Sequence, residues 1–193
     1  VSGRLLILGL GNPGERYERT RHNVGFVLVD RLADRFGVVP RRPIFRRYEI
    51  ARAPLVLCKP LTYMNRSGEI ISPLLRRFDI RAVCPVVDNM DLPPGEIRMK
   101  TRGASSNHNG LRSIERALGG TEFPRIYIGI GRPAEGVDVV EHVLGVPDPE
   151  EEAAIDGAIR RLEAILAANS DRTVEQLATA INARRRPDGD ERS

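Results

Sequence analysis

Five polar residues stand where this chain could do chemistry: Asn12, His22, Asn65, Asp88 and Asn109. Histidine takes a proton near neutral pH, and a carboxylate that orients it and stabilises its charged form makes it a general base toward water. Asp88 is the best orienter for His22, because it closes the apolar run Val83 to Val87. The amides of Asn12, Asn65 and Asn109 can hold a carbonyl, an oxyanion or the attacking water. A metal-free hydrolase acting on an activated ester or amide needs no more. Taken singly, each residue has a plainer alternative. Asn12 before Pro13 is ordinary turn chemistry, Asp91 before Leu92-Pro93-Pro94 can cap a turn, and Tyr63 and Met64 can be core. A lone loop histidine is commonly structural, and His142, in an apolar run, is assigned no role.

The elements that must position these groups follow from periodicity. Leu5 to Leu8 is a short apolar run stopped by Gly9, which reads as a buried strand. Val24, Val27, Leu28, Leu32 and Phe36 recur at helical spacing up to Gly37, with Asn23 as the expected cap. Further strands are expected around Tyr48-Glu49-Ile50 and over 55–58, 83–87, 97–100 and 125–130. Helical faces fall at Ile70 to Phe78, Leu111 to Leu118, Ile155 to Leu166 and Val174 to Ile181, the last behind a Thr173-Gln176 capping box. Val139 to Leu144 is placed in a loop region, and Asp88 to Gly95 is read as a turn. Alternating strands and helices define an α/β domain, single over residues 1–185, whose twisted, mixed but mostly parallel sheet is sandwiched by α-helices. Residues 186–193 form a charged tail, expected to be disordered. The polar clusters at Asn12, Asn65 and Asp88 each follow a buried strand, and strand carboxyl ends share one crevice in such sheets.

Other chemistries fit less well. Gly9-Leu10-Gly11-Asn12-Pro13-Gly14 has the spacing of a dinucleotide loop, but the polar run to Asn23 delays the helix whose N-terminus would face a pyrophosphate. Asp30, the nearest ribose acid, lies inside that helix. No G-x-S-x-G elbow occurs. The histidines are far apart in sequence and neither Cys58 nor Cys84 has a cysteine neighbour, so no metal or other cofactor is expected. Both cysteines read as buried thiols in a reducing cytoplasm. No apolar run spans a membrane, and no targeting segment is expected. The net charge of +4 rests on arginine, with lysine only at 59 and 100, which suits a phosphate-bearing partner as well as a solvated surface.

Gly9 to Gly14, Tyr17 and Thr20-Arg21-His22-Asn23-Val24-Gly25 together resemble the opening signature of the bacterial peptidyl-tRNA hydrolase family. Lys59 to Gly68, Asp88 to Gly95, His108 to Leu111, Arg125 to Pro133 and Val143 to Gly145 are similar to its later motifs, in order and over almost the whole chain. The resemblance implies a cytoplasmic, monomeric esterase with no obligatory protein partner. It would cleave the bond between a peptide's C-terminus and the terminal ribose of tRNA. It makes His22 the general base and Asp88 its stabiliser, and gives Asn12 the reading of the N-acylated group. Tyr17, Tyr63, Asn65 and Asn109 would then contact the peptidyl-adenosine end, with Met64 packed beside them. Lys100 would help clamp the 5′ phosphate of the acceptor stem.

The chain departs from that pattern in two places. Ser105-Ser106-Asn107 replaces a glycine-rich run, where Asn107 tolerates a left-handed backbone. Tyr127 and Gly136 occupy positions where the family is basic, with Arg125, Arg132 and Arg102 as candidate substitutes. These departures keep open a second reading, an RNA-binding relative without catalysis, against which the retention of His22 and Asp88 argues.

Overall fold

One strand buried on both faces organises the sheet. In the computed structural model, which describes residues 3–105 and 107–183, the Leu5–Leu8 run lies within β1 (Arg4–Gly9). On either side β1 pairs in parallel with β3 (Val56–Pro60) and β4 (Ile80–Asn89). Beyond them β4 pairs in parallel with β6 (Arg125–Gly129), while β2 (Tyr48–Arg52) and β5 (Ile97–Lys100) close the edges antiparallel. The order β2-β3-β1-β4-β6-β5 is the mixed, mostly parallel sheet expected.

Strand side chains alternate between faces, so one strand feeds two cores. Leu5 and Ile7 pack with α1 (Val24–Arg35), α5 (Pro149–Ala168) and α6 (Val174–Asn182). Leu6 and Leu8 face α2 (Ile71–Arg77) and α3 (Asn109–Leu118). Each fully buried leucine or isoleucine removes enough apolar area to stabilise the fold by about 1.5–3 kcal/mol. Helix ends follow local chemistry: Gly37 and Gly119 take φ of 63° and 75° just past α1 and α3. Capping boxes at Asp148/Glu151 and Thr173/Gln176 start α5 and α6. No described helix is long and apolar enough to cross a membrane.

Four local expectations change. Val139–Leu144 is a short helix, α4, started by Asp138, whose carboxylate accepts from the Val140 and Glu141 amides. Six residues are too few for a helical period to emerge against three β-branched valines. The fourth strand runs through Asp88 and Asn89, because β6 pairs with both residues, so the turn begins only after them. Pro60 belongs to β3, paired with Tyr48. Asn23 takes the N-cap position of α1 as expected, but its side chain makes no capping bond and is used elsewhere. The proposed tail at 186–193 lies outside the described residues.

Candidate active site

Glycines let the first strand and first helix touch. A Cβ on Gly9 would lie 2.1 Å from the Gly25 carbonyl oxygen, and one on Gly25 would lie 2.5 Å from the Leu10 nitrogen. The first turn of α1 therefore rests directly on the end of β1, which gives these glycines a packing role with no pyrophosphate involved. This contact brings the 3-10 turn Arg21–Asn23, with His22 at its centre, beside the turn that carries Asn12. Asn23 joins the two: its Oδ1 accepts from the Asn12 amide at 2.8 Å and its Nδ2 donates to the Asn12 carbonyl at 3.0 Å. From outside, the Arg21 amide donates to the Gly145 carbonyl, and its guanidinium reaches the His142 carbonyl and Glu151.

His22 Nδ1 lies 2.7 Å from Asp88 Oδ1. Asp88 is 4% exposed at the end of β4. His108 Nε2 approaches the same oxygen at 3.2 Å, and the two imidazole centroids are 5.3 Å apart. His108 is also the N-cap of α3: its Nδ1 accepts from the Gly110 and Leu111 amides at 3.1 and 3.3 Å. An Nδ1 that accepts leaves Nε2 as the donor nitrogen, so His108 donates to Asp88 through Nε2–H. Burial alone would raise the Asp88 pKa, but the charge of His22 and the hydrogen bonds from both histidines hold it well below the usual carboxylate range. Burial pulls His22 down, yet the charge and hydrogen bond of Asp88 outweigh it and leave its pKa above the ordinary 6.5. With Nδ1–H turned to Asp88, the basic lone pair of neutral His22 is on Nε2, which has no protein partner among the described residues.

Asn12 is 7% exposed, and its Oδ1 accepts from the Met64 amide at 2.9 Å. That bond decides the amide's orientation, since a backbone N–H can meet only the oxygen. Nδ2 is left with two protons and no partner among the described residues, so Asn12 presents donors, suited to a carbonyl. Met64 is buried, with its sulfur 2.6 Å from where a Cβ on Gly110 would lie; the Asn12, Met64 and Gly110 segments interlock.

Most of the remaining expected residues are exposed. Tyr63, Asn65 and Asn109 are exposed, and Asn109 Oδ1 accepts from Arg112 at 2.6 Å. Tyr17 is half-buried beneath the Arg16 guanidinium, 4.5 Å from its ring centroid. Lys100 is exposed on β5, its Nζ 5.8 Å from the Tyr127 ring centroid. Arg125 is not a substitute clamp. It is fully buried, its guanidinium bonded to the Thr121 and Phe123 carbonyls. Arg132 bonds Asp91 at 2.6 Å and Arg102 lies 3.9 Å from Glu122, both in solvent. Ser106, in the altered run, lies outside the described residues. His142 is buried, with Nε2 3.0 Å from the Gly131 carbonyl oxygen.

Sequence reasoning missed two residues here. His108 stood inside a recognised motif, and its place one residue before a helix was the available signal. Asn23 signalled only a cap. The wide sequence separation of the histidines also misled: ligand atoms of His22, Asp88 and His108 lie within 4.8 Å of one another, close enough for one cation. In the structure those atoms are joined by hydrogen bonds on Asp88 Oδ1.

The family model for peptidyl-tRNA hydrolase matches residues 6–188. The chain belongs to the peptidyl-tRNA hydrolase family. It is 48% identical over 162 residues to the Geobacillus kaustophilus peptidyl-tRNA hydrolase, covering 81% of this chain and 87% of that one. To the Bacillus subtilis peptidyl-tRNA hydrolase it is 43% identical over 172 residues, covering 84% and 92%. A crystal structure of peptidyl-tRNA hydrolase from Acinetobacter baumannii superposes with a TM-score of 0.84 at 37% identity, covering 93% of this chain and 95% of that one. Family membership agrees with the α/β architecture described above and leaves the dinucleotide reading without support.

Proposed function

We propose that this member of the family hydrolyses the ester joining a peptide to the terminal ribose of tRNA, with His22 as general base. The observation that carries the reading is the 2.7 Å contact between His22 Nδ1 and buried Asp88, beside an Asn12 amide held donors-outward by Met64. Neutral His22 takes a proton from water at Nε2 while the water oxygen adds to the ester carbonyl carbon. Asp88 holds the ring and balances the imidazolium. The carbon–oxygen bond then breaks, and the ribose oxygen leaves with the proton from His22.

The two donors of Asn12 suit the carbonyl of an N-acylated aminoacyl group, which a free aminoacyl ester lacks. Asn65 and Asn109 suit the ester and ribose, and Tyr17 and Tyr63 offer faces for the terminal base. Met64 positions Asn12 through its backbone. Exposed Lys100 suits a phosphate of the acceptor stem. The protein acts as a single chain in the cytoplasm, where its buried thiols stay reduced; burial pushes Cys84 up to about 12.

Purified protein is expected to release N-acylamino acid from N-acylaminoacyl-tRNA and to spare free aminoacyl-tRNA. His22→Ala should lower the rate by roughly 10²–10⁴-fold, the usual worth of a positioned general base. Normal turnover by that variant would sink the mechanism.

A further inference from the structure

The sheet edge opposite Lys100 carries a groove that the hydrolysis does not use. Arg41, Arg42, Ile44, Arg52 and Arg77 line it over Phe78, around a volume of about 830 Å³. The Arg52 and Arg77 guanidinium carbons lie 5.9 and 6.0 Å from the Phe78 ring centroid, so one aromatic ring serves two cations. Arg46 and Arg76 extend the basic surface. All six arginines are exposed, and none has an ion-pair partner among the described residues. Phe45, at the tip of the loop, is fully exposed with φ of +58°, a conformation that a bulky side chain rarely adopts. Ile44 beside it is 82% exposed. Nothing packs on the Phe45 side chain, so folding does not account for an aromatic residue held out in this way.

The arm is tied to the segment that carries Tyr63 and Met64. The Arg47 carbonyl accepts from the Leu61 amide at 2.7 Å, and Arg47 and Arg66 both bond Glu69. From Leu61 the chain runs through Tyr63 to Met64, whose amide holds Asn12. Basic residues therefore run from the Glu69 ion pairs to the unpaired arginines of the groove.

We infer that this arginine groove, with Phe45 at its lip, is a second docking surface for the substrate's own tRNA, gripping the phosphodiester backbone away from the hydrolysed end. The inference rests on the proposed substrate and extends it. Arginine forks match phosphate oxygens in pairs, and an exposed aromatic ring offers a face to an unstacked base. An anionic membrane is the other surface such a patch could meet. A concave groove lined by arginines suits a backbone strand better than a bilayer, which takes up the apolar face of a helix.

The test compares the full chain with its Arg41→Gln/Arg42→Gln/Arg77→Gln variant, all at exposed positions. Binding of deacylated full-length tRNA should weaken by roughly tenfold or more, and the slope of log affinity against log salt should flatten by about 2–3, near one per lost phosphate contact. On N-acylaminoacyl-tRNA, KM should rise while kcat holds. On an N-acylaminoacyl fragment carrying only the terminal CCA, the variant should match the parent. Phe45→Ala should weaken tRNA binding without changing the salt slope. Equal tRNA affinity and slope in parent and triple variant would overturn the inference, as would loss of binding to anionic vesicles with tRNA binding intact. A parent that binds tRNA but cleaves neither substrate overturns the proposed reaction and leaves the groove to be judged by binding alone.

Discussion

A single carboxylate oxygen of Asp88 serves two histidines in different capacities. In the proposed reaction His22 gains and loses a proton, whereas His108 spends its other nitrogen on capping α3. Because the His22 pKa is raised above 6.5 and the base must be neutral, kcat/KM should climb with pH through an apparent pKa above that value. Asp88→Asn should slow turnover and move this acid limb to lower pH, since the negative charge that raised His22 is gone; an unmoved limb would show that another group sets it. The same two shifts act on stability in opposite pH windows. His22 contributes stability that is complete below its unfolded pKa and fades as pH rises through the raised folded value. Asp88 contributes above its unfolded pKa near 3.8, and that contribution is lost as pH falls through its depressed folded value. His108→Asn should separate capping from positioning, because asparagine is a good N-cap but lacks the reach of Nε2 to Asp88. Stability should change little while kcat falls and the acid limb shifts. A fall in stability with unchanged kinetics would reduce His108 to a cap.

At the scale of elements, the close seat of α1 on β1 is what delivers His22 to Asp88. Gly25→Ala would place a methyl group 2.5 Å from the Leu10 nitrogen and the Val86 oxygen, both backbone atoms that cannot rotate away. The helix must then shift, at a cost of about 1–3 kcal/mol for overpacking of this kind. Denaturant unfolding should show that loss, and the rate should fall with it, because the His22 turn begins the same helix. A fully stable, fully active variant would show that the contact is slack. Asn23 belongs to the same scale, since both of its amide atoms bind the Asn12 backbone and tie two turns from different strand and helix ends.

Over the whole molecule, six strands and flanking helices bury two cores, and the β5 edge is finished by α6. The Asn182 side chain accepts from the Met99 amide at 2.8 Å and donates to its carbonyl at 2.9 Å, pairing with the edge strand much as another strand would. Asn182→Ala leaves the Met99 amide without that partner and should cost about 1–3 kcal/mol. Deleting residues 174–193 should go further, removing Leu177 and Ile181 from the core and uncovering the edge of β5. Light scattering should then report association on warming, and a monodisperse truncated chain would show that the edge needs no cover.

Much of this was legible in order along the chain. Apolar runs that change period from two to near four specify which segments are strands and which are helices, because each must bury one face. The recognised motifs specify Asn12, His22 and Asp88, because their chemistry resides in the side chain itself. Partnership was decided by tertiary structure. That His22 and His108, 86 positions apart, meet on one oxygen depends on β1 lying beside β4 and on α3 packing over the sheet. That Asn12 offers donors depends on a backbone amide 52 positions away. Hydrogen-bond geometry over such distances leaves no local pattern in sequence, since it is set by where whole elements pack.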